Sequence, residues 1–236
     1  MINLIIAIVA GLVTTIGSAF LLGGGEFRPL YGILPGLIVF GGSYFYLARK
    51  AMKELEGYFL KAQEELKGQH IDRAVEILKE AYPLSKKQFL VGAQVDGQIG
   101  TVLYMSRRFD ESEPYLKRSF NRNWVPRAML GALYYKRKKT AEMRTVFEEA
   151  VKHSKKQALL WNLYAYCLWK SNDRESAIAV LNRAVVEMPE DQKTQSNLKA
   201  LQNDKKMKMR GWNLLWYQFH LEKPPAQQSQ FPARRR

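Results

Sequence analysis

ALLWNLYAYCLWKSNDRESAIAVLNRAVVEMPED, residues 158–191, places three small residues, Ala165, Ala177 and Ala184, twelve and then seven positions apart. A small residue in each of two consecutive amphipathic helices lets the helices cross closely. A second one, a turn or two later, admits the next pair. The same spacing occurs three more times upstream, at Ala62, Ala74 and Ala81, at Gly100, Ser112 and Ser119, and at Gly131, Met143 and Ala150. Start-to-start distances are 38, 31 and 34 residues, which bracket the period of a helix–turn–helix solenoid. Arrays of that kind recognise other chains rather than transform small molecules.

The quoted stretch resembles the tetratricopeptide repeat family. Trp161, Ala177, Ala184 and Pro189 match the family pattern by identity, and Tyr164, Ala165, Leu168 and Leu181 match it by class. In the third repeat, Leu130, Gly131 and Tyr134 form the family's L-G-x-x-Y element, followed by Phe147 and Ala150. Met143 departs from the expected small residue, and Lys155 stands where a proline would close the repeat. The first two repeats are degenerate: neither has the tryptophan, and Glu65 replaces an aromatic. The resemblance covers about residues 55–190 and implies helix pairs that bind a protein partner.

Two uncharged apolar runs, 2–22 and 30–48, precede the repeats. A bilayer core of roughly 30 Å needs about 20 helical residues, so each run is long enough to span it. The joining GGGEFRP has room only for a tight turn, with Pro29 suited to a first helical turn. The expectation is a transmembrane helical hairpin. A cleaved signal is disfavoured by the missing basic leader, the length of the first run and the second span that follows. Arg49, Lys50 and Lys53 lie directly after the second span, whereas the turn holds only Glu26 and Arg28. Positive residues stay on the cytoplasmic side, so the repeats are expected in the cytoplasm. A lone Cys167 cannot build an intrachain disulfide framework.

Net charge rises along the chain, from +3 over 49–123 to +5 over 124–190 and +7 over 191–236, within a total of +15. Such a gradient favours acidic partners or anionic lipid over nucleic acid for a membrane-tethered protein.

Helix periodicity separates a core stripe from a neighbouring stripe, which lines the binding surface in tetratricopeptide folds. That second stripe reads Phe59, Gln63 and Leu66, then Gly97, Thr101 and Tyr104, then Ala128, Ala132 and Tyr135, and finally Asn162, Tyr166 and Trp169. The partner-binding candidates are therefore Tyr104, Tyr135, Lys136, Asn162, Tyr166, Trp169 and Lys170. Aromatic anchors are common at interface hot spots, and lysines beside them suit an acidic or extended peptide. The alternative is that these aromatics pack between helices and the lysines are merely solvated.

Leu198 and Leu201 sit at helical spacing in a segment suited to cap the last repeat. Trp212, Leu215, Trp216 and Phe219 share one face if 211–220 is helical, which describes either a cap or a helix lying on a membrane. The tail PPAQQSQFPARRR has little to bury and reads as disordered.

The expected architecture is all-α. Residues 1–48 form a two-span anchor, 49–190 about four tetratricopeptide-like repeats, 191–221 capping or amphipathic helices, and 222–236 a disordered basic tail. No motif pairs Cys167 with a base, His70, His153 and His220 lie far apart, and the Gly23–Gly25 run lacks the Gly-Lys-Ser/Thr of a phosphate loop. No enzyme, metal or cofactor is expected. The favoured function is a membrane-anchored adaptor. Its rivals are a structural subunit that packs through Gly32 and Gly36, and a lipid- or nucleic-acid-binding module using the basic C-terminal third.

Overall fold

A computed structural model describes residues 1–224, and every regular element among them is helical. The chain divides into two compact units, residues 1–120 and 121–236.

The first unit opens with α1 (Ile2–Leu21) and α2 (Pro29–Lys67). Both are long and apolar enough to cross a membrane, and only 17% and 11% of their apolar windows are buried. They pack as an antiparallel hairpin whose turn uses Gly24 and Gly25 at φ +71° and +92°, backbone angles that glycine adopts without a steric cost. Glycine also sets their separation. A Cβ on Gly36 would run into the Thr15 side chain and the Gly11 carbonyl, one on Gly32 into the Thr15 carbonyl, and one on Gly11 would lie 2.8 Å from Phe40 Cβ. Gly32 and Gly36 are thus used within the chain's own hairpin. The sequence expectation that they offer a surface to another subunit is corrected accordingly.

At about 1.5 Å per residue, the 39 residues of α2 extend roughly 58 Å. It passes the expected anchor boundary at 48/49 without a break. Its second half turns Leu55 and Ala62 inward as the first helix of repeat one, paired with α3 (Ile71–Glu80). The short α4 (Leu84–Lys87) leads to repeat two, α5 (Val91–Met105) and α6 (Phe109–Arg118).

The second unit holds repeat three, α7 (Trp124–Lys136) and α8 (Thr140–His153), and repeat four, α9 (Ala158–Lys170) and α10 (Arg174–Glu187). Helix α11 (Gln192–Gln202) follows. A 3-10 turn at Arg210–Trp212 and one-turn α12 (Leu214–Tyr217) end the described elements.

All twelve residues of the twelve-and-seven pattern are buried. Where the residue is glycine, the space is already taken: a Cβ on Gly100 would lie 2.8 Å from Leu116, and one on Gly131 would lie 2.6 Å from the Phe147 ring. Each first helix closes in the same way. Gln69, Arg107, Lys138 and Asn172 adopt φ of +63°, +62°, +58° and +63°. The next amide in each case reaches back to a carbonyl five residues earlier: His70 to Glu65, Arg108 to Leu103, Lys139 to Tyr134 and Asp173 to Leu168. This is the Schellman ending, in which a left-handed residue satisfies the last carbonyls of a helix.

The same ending recurs after α11, with Asp204 at φ +57° and the Lys205 amide on the Ala200 carbonyl. Seven residues before each of these turns stand Ala62, Gly100, Gly131 and Ala165. In α11 that position is Asn197, also buried. Helix α11 is therefore the first half of a fifth repeat whose second helix is replaced by the segment from Lys205 onward.

Ion pairs also recur from one repeat to the next within each unit. In the first unit, Arg108 pairs with Asp72. In the second, Arg144 pairs with Asp173 and Arg174 with Asp204, while Arg183 meets Glu148 at 2.8 Å. Exposed pairs of this kind contribute little each, so burial of the small-residue seams carries the stability.

Candidate functional site

The candidates on the second unit begin with α9, in which every residue from Leu159 to Leu168 is buried. Trp161 donates its indole N–H to the Lys155 carbonyl at 2.9 Å, and the Arg183 guanidinium lies 5.2 Å from the ring centre. Phe147 and Tyr164 stack at 5.0 Å. Burial, with Glu148 next in importance, pushes the Tyr164 hydroxyl well above its ordinary range. Arg183 holds the Glu148 carboxyl below its usual value.

Asn162 is fully buried and held from both sides. Its amide donates to Thr194 Oγ1 and to the Ala158 carbonyl, each at 2.8 Å, and its oxygen accepts from Asn197 at 2.8 Å. Asn197 in turn accepts the Lys208 amide at 2.7 Å. Asn162 is an internal tie to the half-repeat, and its expected place on an open binding surface is corrected.

Tyr166 is buried as well. Its ring meets Trp216 edge-on at 4.8 Å, and its hydroxyl donates to Glu222 Oε1 at 2.9 Å. Trp216 donates to the other Glu222 oxygen at 3.3 Å and is fully buried. Burial first, and Glu222 second, raise the Tyr166 hydroxyl. The carboxylate at Tyr166 is the chain's own Glu222, held by Tyr166 and Trp216 and not by the lysines beside the stripe. Trp169 remains half-buried on the surface, with the exposed Lys170 ammonium 4.6 Å from its ring. Tyr135 and Lys136 are half-buried.

The segment carrying Trp216 is not one amphipathic helix. It is two single turns interrupted at Asn213, which adopts φ +50°. Trp216 and Phe219 are buried while Leu215 is 59% exposed, so the single shared face expected of 211–220 does not form. Within the unit the segment packs against α9 through Trp216. A cavity of about 910 Å³ lies between α11 and the segment, lined in part by Lys193, Lys208, Arg210 and Lys223. Residues 225–236, most of the tail expected to be disordered, lie outside the described residues.

In the first unit, Tyr104 is fully buried and packs edge-on against Phe109 at 5.1 Å. It forms part of the repeat core, not of a binding wall, which corrects its expected role. The rest of the same stripe does line a groove. Phe59, Gln63, Leu66 and Thr101 border a cavity of about 360 Å³ together with Leu60, Val102, Gln98 and Met105. Leu60 and Met105 are 55% and 52% exposed. Glu56 and Phe59 continue into a second depression of about 570 Å³ that reaches Lys53 and Arg49. Phe59, Gln63 and Leu66 lie on the stripe that helix periodicity predicts, whereas Leu60 and Met105 lie outside it. Their signal was a long apolar side chain off the inward face of a first helix.

Cys167 is fully buried and burial alone pushes its thiol far up, so it is a packing residue. Among the described residues no group of His, Cys, Asp or Glu could hold a metal ion.

The sequence model of the tetratricopeptide repeat family matches residues 158–185, which are α9 and most of α10. No curated protein matches the chain. The matched segment carries a tetratricopeptide repeat, and such repeats are protein-interaction modules.

Proposed function

We propose that this protein is a membrane-anchored adaptor that holds a partner protein in the groove of its first unit, on the cytoplasmic side. The groove at Phe59, Leu60, Leu66, Val102 and Met105 carries this reading. It is largely apolar and open, and Phe59 and Leu66 in it come from the stripe that the tetratricopeptide resemblance implies for ligand binding. Exposed leucine and methionine beside glutamines suit the apolar face of a partner helix or extended segment. A photo-reactive residue at Leu60 should cross-link to the partner in cells, and the same residue at the exposed Val186 should not. Equal cross-linking from both positions contradicts the groove assignment.

The anchor half of the proposal rests on exposure. A core helix of a soluble protein buries most of its apolar window, whereas these two windows are 17% and 11% buried. Apolar patches of that extent mark contact with lipid or protein. The excess of Arg49, Lys50 and Lys53 after the second helix supports a cytoplasmic location for the repeats. An impermeant thiol reagent applied to intact cells should then label Phe27→Cys in the turn and spare Lys79→Cys on α3. The opposite pattern reverses the orientation.

A second reading is favoured by the surface-facing Trp169 with Lys170 beside it. There Tyr135, Lys136, Trp169 and Lys170 provide an additional contact for an acidic segment. Tyr135→Ala with Trp169→Ala tests it, since loss of a hot spot costs about 2 kcal/mol or more of binding.

A further inference from the structure

The loop between repeats one and two sits at an unusual place. α1 is 20 residues long, about 30 Å, which is the thickness of a bilayer core. Its first residues therefore lie at one boundary of the core, beside Tyr44 and Leu47 of α2. Asn3 is buried there and donates to the Leu47 carbonyl at 3.2 Å and to Gln88 Oε1 at 3.4 Å. Gln88 donates in turn to the Tyr44 hydroxyl at 3.0 Å. A buried polar cluster with its members bonded to one another holds its geometry, so Gln88 is pinned at the level of Asn3. The next residue, Phe89, is 59% exposed. Leu90, at φ +68°, then turns the chain into α5. Lys86 is exposed in α4 just before Gln88, and Arg49, Lys50 and Lys53 are exposed on α2 just past Leu47. Lys87 is engaged by Glu54 at 3.2 Å.

We infer that the segment Lys86–Phe89, the end of α4 and the two residues after it, is a second membrane contact. Phe89 inserts at headgroup level, while Lys86 joins Arg49, Lys50 and Lys53 in binding anionic phospholipid headgroups. This rests on the reading of α1 and α2 as a membrane hairpin. An aromatic ring beside lysines at the depth of the interface has the composition of an interfacial anchor. The consequence is orientational: repeat one is held against the bilayer, which fixes the direction in which the groove at Phe59 opens.

The test uses the full chain in lipid nanodiscs, with an environment-sensitive dye on Phe89→Cys, Phe45→Cys or Met105→Cys. Buried Cys167 stays unlabelled. Spin-labelled lipid should quench the dye at positions 45 and 89 and spare it at 105. Because the dye is itself apolar, a second form keeps Phe89 and carries the dye at Ser85→Cys, where Phe89→Asp should abolish quenching. In discs containing phosphatidylserine, Lys86→Glu should lower the inserted-to-free ratio about fivefold or more, since each cation near an anionic surface contributes about 1 kcal/mol. In pure phosphatidylcholine discs it should have no effect. If position 89 behaves like 105 while 45 is quenched, the second contact is wrong and the hairpin stands. If 45 is also unquenched, the hairpin reading falls and this inference falls with it. An equal Lys86→Glu effect in both lipids overturns the headgroup assignment.

Discussion

The two units are built from the same helix pair, yet they treat their binding stripes in opposite ways. In the second unit the stripe is rich in aromatic and polar side chains, and the chain's own C-terminal segment covers Tyr166 while Tyr135 and Trp169 stay half-buried. Trp216 lies on Tyr166, and Glu222 takes the hydrogen bonds. In the first unit, Phe59, Gln63, Leu66 and Thr101 of the stripe line a groove that stays open, together with the exposed Leu60 and Met105 beside them. The repeat that conforms best to its family is spent on structure, and the degenerate pair keeps a free surface. A well-matched repeat motif records how helices pack, because its invariant positions are the crossing points. Binding depends on the positions between them, which the motif leaves unspecified.

The largest effect that sharpens this contrast is expected at Trp216. Removing a fully buried tryptophan should cost roughly 3–5 kcal/mol, read as an earlier thermal transition of the second unit. Trp216→Ala should also expose the Tyr166 ring to quenchers of tyrosine fluorescence. A wild-type melting curve would show that the segment does not cap the unit.

Next come the seams. Ala177→Leu should cost roughly 1–3 kcal/mol by overpacking, and Gly131→Ala a similar amount because Phe147 fills the space for a side chain. Both should lower the denaturation midpoint, whereas Leu60→Asp with Met105→Asp should leave it within about 0.5 kcal/mol, as exposed positions usually do. That exposed pair should instead weaken partner binding strongly. Stability unchanged and binding weakened is the signature of an open groove.

A smaller, pH-dependent effect distinguishes the second unit. Arg183 depresses the folded-state value of Glu148. The stability this contributes is present above the ordinary glutamate value of about 4.3 and is lost as pH falls through the lower folded value. Arg183→Gln should flatten the acid limb of the second unit's melting profile below about pH 4.3, with little change at pH 7 beyond the loss of one surface pair.

The smallest effect concerns the turns. Lys138 adopts a left-handed conformation at φ +58°, which glycine tolerates better than lysine. Lys138→Gly should raise stability by up to about 1 kcal/mol, partly offset by the freedom glycine gains when unfolded. A lower midpoint would mean that the Lys138 side chain contributes more than its backbone strain costs.

The repeat seams were legible because close helix crossing admits only small residues, and that demand recurs at fixed intervals in the sequence. The helical hairpin was legible because two long uncharged apolar runs are joined by a short glycine-rich turn. Burial of Asn162 and Tyr166 was not legible. Their partners, Asn197, Trp216 and Glu222, lie 35 to 56 residues away, and no periodicity links them. The half-repeat at α11 escaped for a related reason: its crossing residue is Asn197, polar and hydrogen-bonded where every other repeat uses a small side chain. The open groove was half-visible, since helix periodicity assigns Phe59 and Leu66 to the stripe, whereas Leu60 and Met105 are aliphatic residues off it that no periodic position marks.

The most direct test compares two double variants of the full-length protein in detergent, by titrating each against the partner identified through Leu60 cross-linking. Leu60→Asp with Met105→Asp should weaken binding by about thirtyfold or more, the equivalent of roughly 2 kcal/mol, while Tyr135→Ala with Trp169→Ala changes it only modestly. The reverse ranking would place the binding site on the second unit and contradict the account.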